Sequence, residues 1–135
     1  MEAEEAVIAI DTNIVVRIIA NDDEAQVARA RRLLEESKVV VPTTVLLECE
    51  WVLRSGYRLS RERFLSSLRG FLGLENVGLI DPEHVELALD LYSKGLDLAD
   101  ALHVSGANVD TFATFDRELK RRASVLLDGI EIREP

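Results

Sequence analysis

Short apolar runs alternate with amphipathic segments along this chain, and that alternation restricts the possible folds more than any other feature. The runs at residues 7–10 and 39–41 contain no polar residue, which is typical of strands covered on both faces. Residues 111–114 predict another strand, residues 125–127 the last one, and residues 76–79 a short strand or extended segment. Strands separated by helices pair in parallel through right-handed crossovers, so the sequence predicts an α/β protein.

Length and composition exclude several classes of protein. The 135 residues fit one domain, which we expect to span residues 1–135. A formal charge of −9 argues against a nonspecific coat for DNA or for an anionic membrane. One cysteine and two histidines cannot complete a four-ligand Cys/His zinc site. The acidic residues 1–5 are unlike a signal peptide, and no apolar run approaches the roughly 20 residues of a membrane span, so we expect a cytoplasmic protein.

Acidic side chains follow two of the predicted strands. Asp11 comes directly after the first strand, and Asp116 follows the run at 111–114 by one residue. Because the carboxyl ends of parallel strands meet at one edge of a sheet, we expect both side chains at that edge. The ordinary alternative is that each aspartate caps the helix that follows it.

Two predicted helices add further carboxylates. A helix capped by Thr43 or Thr44 and reaching about Arg54 carries Glu48, whose neighbours one turn away are mainly apolar. This spacing predicts that Glu48 lies on an apolar face, and a partly exposed edge position is the alternative.

Asp97 and Asp100 lie three residues apart at the start of another predicted helix. Their ordinary interpretation is that Asp97 caps this helix and Asp100 interacts favourably with its dipole. His103, three residues after Asp100, could pair with that aspartate or be a half-buried histidine. We favour the half-buried histidine, because one histidine without a second His or a Cys makes a poor metal site.

The carboxylates are more informative together than singly. At one edge of a sheet they would repel one another unless cations neutralised them. Ligands that are all oxygen suit Mg²⁺ or Mn²⁺, and one or two such ions could stabilise charge at a phosphate oxygen. The sequence contains neither a phosphate-binding glycine loop nor the GxSxG motif of serine hydrolases.

Four segments resemble, in order and spacing, the motifs of PIN-domain ribonucleases, especially the VapC toxins of bacterial and archaeal toxin–antitoxin pairs. The resemblance covers about residues 7–127 and rests on DTNIVVR at 11–17, LLECEWVLR at 46–54, LDLADALH at 96–103 and ATFD at 113–116.

This resemblance implies a PIN-like α/β/α sandwich with a central, mostly parallel sheet of about five strands. It implies that one or two Mg²⁺ or Mn²⁺ ions are bound by four catalytic carboxylates, Asp11, Glu48, Asp100 and Asp116. Asp97 matches an often acidic position and is given a secondary role at the metal. Asn13 and Thr114 match polar positions that support the carboxylates by hydrogen bonds.

The resemblance also implies an activity and partners. The activity is metal-dependent hydrolysis of phosphodiester bonds inside RNA, leaving a 5′ phosphate and a 3′ hydroxyl, by a toxin that inhibits growth or translation. The partners are the RNA substrate, a small antitoxin whose C-terminal segment covers the active site, and a second copy in a homodimer.

Basic residues are segregated despite the negative total charge. Residues 54–69 hold five arginines and one glutamate, and residues 117–122 hold four basic residues and one glutamate. We expect both clusters to flank the carboxylate edge, although a solvated helix face is the ordinary alternative for either. The predicted RNA-binding residues are Arg58, Arg61, Arg63, Arg117 and Arg121.

Other classes fit the sequence less well. A haloacid-dehalogenase-like phosphatase needs a second aspartate two residues after the first, where this chain has Asn13. A response-regulator receiver domain needs an aspartate after a strand near the middle of the chain. A free-standing PIN-domain RNA-processing nuclease, or a non-catalytic binding module on the same fold, stays open.

Overall fold

Strands and helices alternate as the apolar runs predict, which confirms the α/β class. A computed structural model describes residues 6–135; the acidic residues 1–5, used above in predicting the cellular location, lie outside the described residues. The strands of the described part are β1 (Val7–Ala9), β2 (Lys38–Val41), β3 (Val77–Leu79), β4 (Thr111–Ala113) and β5 (Glu131–Arg133). The helices there are α1 (Thr12–Ala20), α2 (Glu24–Glu36), α3 (Thr43–Trp51), α4 (Arg61–Leu72), α5 (Pro82–Ser93), α6 (Leu98–Gly106) and α7 (Arg117–Leu126).

The first compact unit of the chain ends at Pro82. Its sheet has the order β1-β2-β3, with both strand pairs parallel and Val39 opposite Ile8 and Val77. The sheet and helices α1 to α4 bury a core that includes Val15, Val39, Val41, Leu46, Leu53, Phe64 and Leu68.

The first strand is less covered than its apolar sequence predicts. Residues 7–9 are exposed, and Val7 keeps 55% of its accessible surface. The prediction of burial on both faces is wrong for β1, because this strand lies at the edge of its sheet with only β2 beside it. Burial begins at Ile10, the residue after the strand.

Helix starts in this unit follow local capping chemistry, with one exception. The Asp23 carboxylate accepts a hydrogen bond from the Gln26 N–H at the start of α2, and the Ser60 hydroxyl oxygen accepts one at the start of α4. The predicted cap by Thr43 or Thr44 is wrong, because Pro42 occupies the cap position of α3 and makes no capping bond.

The predicted end of that helix also differs. Helix α3 continues into a π-helical turn, Val52–Gly56, in which the Tyr57 N–H donates to the Val52 carbonyl oxygen at 3.3 Å.

The second compact unit begins at Glu83. It contains α5, α6 and α7 with the parallel pair β4-β5, in which Phe112 lies opposite Ile132. The strands of the described residues thus form a sheet of three and a separate pair, whereas the resemblance implies one sheet of about five. The prediction of one domain over residues 1–135 stays a prediction.

The last strand lies later than predicted. Residues 125 and 126 continue α7, which buries Leu119 and Ala123 and leaves Val125 83% exposed. The strand is instead β5, where buried Ile132 stands between two exposed charged residues. A search for apolar runs misses such a strand.

A histidine joins two helices of the second unit. The His84 Nε2–H donates to the Leu102 carbonyl oxygen at 2.8 Å and so links α5 to α6. Gly106 leaves room for the ring, because a Cβ atom there would lie 2.5 Å from His84 Nε2. No helix within residues 6–135 has both the length and the apolar character needed to cross a bilayer.

Candidate functional site

Asp11 stands between β1 and α1. Its Oδ1 accepts a hydrogen bond from the Thr12 N–H at 2.7 Å, so it caps the helix. The side chain is exposed, and the capping bond uses only one of its two oxygens. Asp11 is therefore held at a helix N-terminus with an oxygen left over for a cation or for water.

Glu48 lies on the exposed side of α3. The buried side of this helix carries Leu46 and Cys49, while Glu48 and Trp51, which is 67% exposed, face away from the core. The side chains around Glu48 on this face are mainly apolar, as predicted, but the face is uncovered at Glu48, which takes the exposed position given as the alternative. Sequence periodicity found the face that Glu48 shares with Trp51, but it could not tell that this face is uncovered.

The charges of both of these carboxylates affect the pKa of the Cys49 thiol. Burial raises the pKa of Cys49 to about 12, and the negative charges of Glu48 and Asp11 add to that shift. Asp11 and Glu48 therefore lie within electrostatic reach of one atom, and the first unit brings its two predicted acidic residues into one region.

A second group of carboxylates surrounds Asp100. Its pKa is raised, first because burial removes water from the carboxylate and then because Asp97 and Asp116 repel its charge. His103 opposes this shift by electrostatic attraction, yet it is exposed, so the prediction of a half-buried histidine is wrong. The second unit thus brings Asp97, Asp100 and Asp116 within electrostatic range of one another.

Two of these aspartates open helices in different ways. Asp97 occupies the cap position of α6, but its side chain makes no capping bond, contrary to the ordinary interpretation. Asp116 caps α7 by accepting from the Leu119 N–H at 3.0 Å. The Thr114 hydroxyl oxygen accepts from the Asp116 N–H at 3.0 Å, so it holds the backbone of that residue rather than its carboxylate.

The predicted acidic residues have the ligand chemistry that suits a hard divalent cation; they are Asp11, Glu48, Asp97, Asp100 and Asp116. All five acidic side chains offer carboxylate oxygens, the ligands that Mg²⁺ and Mn²⁺ prefer. Asp97 makes no capping bond, so binding a cation would break no such bond. Among residues 6–135, however, no three Asp, Glu, His or Cys side chains are grouped closely enough to hold one ion. The metal site therefore stays a prediction.

The predicted RNA-binding arginines lie on helices and turns near the surface. Arg58 and Arg63 are exposed, Arg58 has a left-handed backbone with φ of 59°, and Arg61 is half-buried at the start of α4.

In the second cluster, Arg117 Nε lies 3.7 Å from a Glu134 oxygen. Hydrogen bonds from Arg121 and Arg122 lower the pKa of Glu118 to about 2. This cluster is thus partly neutralised by its own acids.

Sequence reasoning missed a cavity of about 330 Å³ between α1 and α2. Asn13, predicted to support the carboxylates, is exposed and lines this cavity. The available signal was the spacing of Gln26, Arg29, Ala30 and Leu33, which places all four on one face of α2.

The chain belongs to the PIN-domain family, since the PIN domain matches residues 8–125. The resemblance of the four motifs is therefore confirmed for the family. No curated protein matches the chain. Among solved structures, this chain is similar to that of VapBC2 from Rickettsia felis bound to a DNA fragment from its promoter. The two sequences are 21% identical, the match covers 96% of this chain and 98% of that chain, and the TM-score is 0.39.

Proposed function

We propose that this PIN-domain protein is a metal-dependent endoribonuclease and the toxin of a toxin–antitoxin pair. One observation carries the proposal: three of the helices that begin at an aspartate, α1 at Asp11, α6 at Asp97 and α7 at Asp116, do so within the segments that resemble the family's motifs, in a chain whose family match spans residues 8–125. Asp23 caps α2 outside those segments, so capping alone does not mark a site. What goes beyond capping is that Asp97 makes no capping bond and that Asp97 and Asp116 both repel the charge of Asp100.

The divalent ions would be held by Asp11, Glu48, Asp100 and Asp116, with Asp97 in a secondary role. When bound, Mg²⁺ or Mn²⁺ would lower the pKa of a water molecule and stabilise negative charge on the phosphate. The protein contributes orientation, because the capping bonds of Asp11 and Asp116 fix their carboxylates before any ligand arrives.

The RNA would be held by arginine side chains outside the carboxylate groups. Arg58, Arg61 and Arg63 in one unit and Arg117 and Arg121 in the other supply guanidinium groups that suit phosphate oxygens. We propose that hydrolysis leaves a 5′ phosphate and a 3′ hydroxyl, and that it takes place in the cytoplasm.

A purified-protein cleavage assay tests the enzymatic part of the proposal. RNA cleavage should require Mg²⁺ or Mn²⁺ and should fall at least about 100-fold in Asp11→Asn and in Asp100→Asn. Asp128→Asn, which changes an exposed acid outside both groups, is the matched control and should cleave normally. Cleavage that persists in EDTA, or in both site variants, would refute the metal-nuclease proposal.

Metal binding can be measured without activity. Trp51 is the only tryptophan, is 67% exposed and lies one helical turn from Glu48. Mn²⁺ is therefore expected to quench its fluorescence in a saturable manner, and Glu48→Gln should weaken that quenching. Identical titrations of the two proteins would remove Glu48 from the set of ligands.

The proposed biological partner is a small antitoxin whose C-terminal segment covers the carboxylates, and the toxin is proposed to act as a homodimer. Induced expression should arrest growth, and co-expression of a short neighbouring reading frame should relieve the arrest. RNA cleavage without growth arrest would instead indicate a free-standing RNA-processing nuclease. RNA binding without cleavage would indicate a non-catalytic module.

A further inference from the structure

The cavity between α1 and α2 has one polar and one apolar part. Arg17, Gln26 and Arg29 line the polar part together with Asn13, and the apolar wall is formed by Ile14, Ala30 and Leu33. All these residues belong to the first compact unit. None of the roles proposed above uses this combination of side chains.

Hydrogen bonds fix the polar part in a donor-rich arrangement. Arg17 Nε–H donates to Gln26 Oε1 at 2.6 Å, and Arg17 Nη1 donates to the Tyr57 hydroxyl oxygen at 3.2 Å and to Asp22 Oδ1 at 3.4 Å. The Tyr57 hydroxyl in turn donates to Asp22 Oδ2 at 2.6 Å. Because the Gln26 oxygen is already used by Arg17, its NH₂ group remains for a ligand, and that group can only donate.

The two arginines differ in how far their charge is neutralised. Arg17 forms an ion pair with Asp22, whereas Arg29 is exposed and has no acidic partner within residues 6–135. Arg29 therefore brings to the rim of the cavity five N–H donors and a positive charge that no acid of the described residues neutralises. A ligand that matches this rim is negatively charged and rich in hydrogen-bond acceptors.

The position of the cavity relates it to the first carboxylate group. Asn13 lies two residues after Asp11 in the first turn of α1, and Arg17 lies about one turn further, which is about 6 Å along the helix. The cavity therefore starts near the end of α1 that Asp11 caps and extends away from it along the helix.

We propose that this cavity is a nucleotide subsite for RNA, with a phosphate on Arg29 and Arg17 and the base or ribose against the apolar wall. The amides of Asn13 and Gln26 then face the polar edge of that nucleotide. This inference rests on the proposed ribonuclease function, because it adds a binding position to the same substrate. The volume of about 330 Å³ suits one small-molecule-sized group, and the donors at its rim favour a phosphate over an apolar helix of a protein partner.

Equilibrium binding of a labelled eight-nucleotide RNA to the full-length protein tests the subsite. Anisotropy is measured in EDTA, so that cleavage does not interfere, at several salt concentrations. Arg29→Ala is expected to weaken binding about tenfold and to reduce the slope of log K against log salt by about 0.7, the value for one phosphate on a single strand. Arg29 is exposed, so its replacement leaves the core intact.

Arg32→Ala is the matched control, because Arg32 is an exposed arginine on the same helix that does not line the cavity. It should change the affinity less than twofold. Equal losses of RNA affinity in the two variants would mean that only the total charge of α2 matters, and this result would overturn the proposal of a subsite. If octaglutamate binds with the same dependence on Arg29 while RNA binding is unaffected, the cavity accepts an acidic peptide and the proposal is also overturned.

These outcomes are separable from the ribonuclease proposal. If the wild-type protein binds RNA through Arg29 but cleaves none with Mn²⁺, the proposed activity fails while the nucleotide site is supported. If it cleaves RNA and Arg29→Ala has the same KM and affinity as wild type, the activity stands and the subsite is refuted.

Discussion

Replacing Gly106 by alanine is expected to destabilise the protein, although helix propensity alone predicts the opposite. Gly106 is the last residue of α6 and does not have the left-handed backbone that favours glycine. An alanine in a helix interior is favoured over glycine by up to about 1 kcal/mol, and by less at a helix end. Without a neighbour in the way, the substitution would be neutral or mildly stabilising.

The neighbour is the imidazole ring of His84. A Cβ atom on residue 106 would lie 2.5 Å from Nε2 and 2.6 Å from Cε1, distances at which the ring must move. Movement lengthens the 2.8 Å bond to the Leu102 carbonyl oxygen, which costs about 1 kcal/mol, and crowding adds about 1 kcal/mol, the low end for overpacking, because His84 is half-buried and residue 106 is exposed. After the helix-propensity gain is subtracted, the free energy of unfolding is expected to fall by about 1–2 kcal/mol.

Urea denaturation followed by circular dichroism measures this loss, and a double-mutant cycle tests its cause. In a His84→Ala background, Gly106→Ala should become neutral or stabilising by up to about 1 kcal/mol, because the crowded ring is gone. Gly70→Ala is the control within α4, since a Cβ atom there meets nothing within 4 Å and should stabilise. A stabilising Gly106→Ala, or an equal effect in both backgrounds, would refute the reasoning.

Two further predictions follow from titratable groups. Because burial, with the charges of Glu48 and Asp11, raises the pKa of Cys49 to about 12, Ellman's reagent at pH 8 should react about 10³-fold more slowly with the native thiol than with the unfolded chain. Rapid native labelling would contradict this. A hydrogen bond from Tyr57 lowers the pKa of Asp22, so the stability that Asp22 contributes is present above its unfolded pKa and is lost as the pH falls. Tyr57→Phe should raise the Asp22 pKa in an NMR titration and reduce the stability lost between pH 5 and pH 3; an unchanged Asp22 pKa would contradict it.

The sequence predicts best the features of the fold that depend only on residues close together in the chain. The apolar run at residues 39–41 specifies β2 through a rule that spans only a few residues. The positions of Asp11 and Asp116 at strand–helix junctions follow from the same local signals.

Features that depend on tertiary neighbours were not predictable from periodicity. The pattern around Glu48 identifies a helix face but cannot say whether another element covers it, and in the structure the face is exposed. The exposure of β1 depends on its edge position, and the cavity depends on how α1 lies against α2. β5 was missed because only Ile132 of its three residues is apolar, which is too short a pattern to separate from a turn.

Helix capping and metal binding were treated in the sequence as alternatives for Asp11 and Asp116, but the geometry makes them compatible. Each side chain uses one oxygen for a backbone N–H, at 2.7 Å and 3.0 Å, and retains a second oxygen. A capped carboxylate loses little further rotational freedom when it binds a cation, so the cap favours the proposed ligand role rather than replacing it. Asp97 lacks such a bond and must be ordered by whatever it binds, which agrees with a secondary rather than a primary position at the metal.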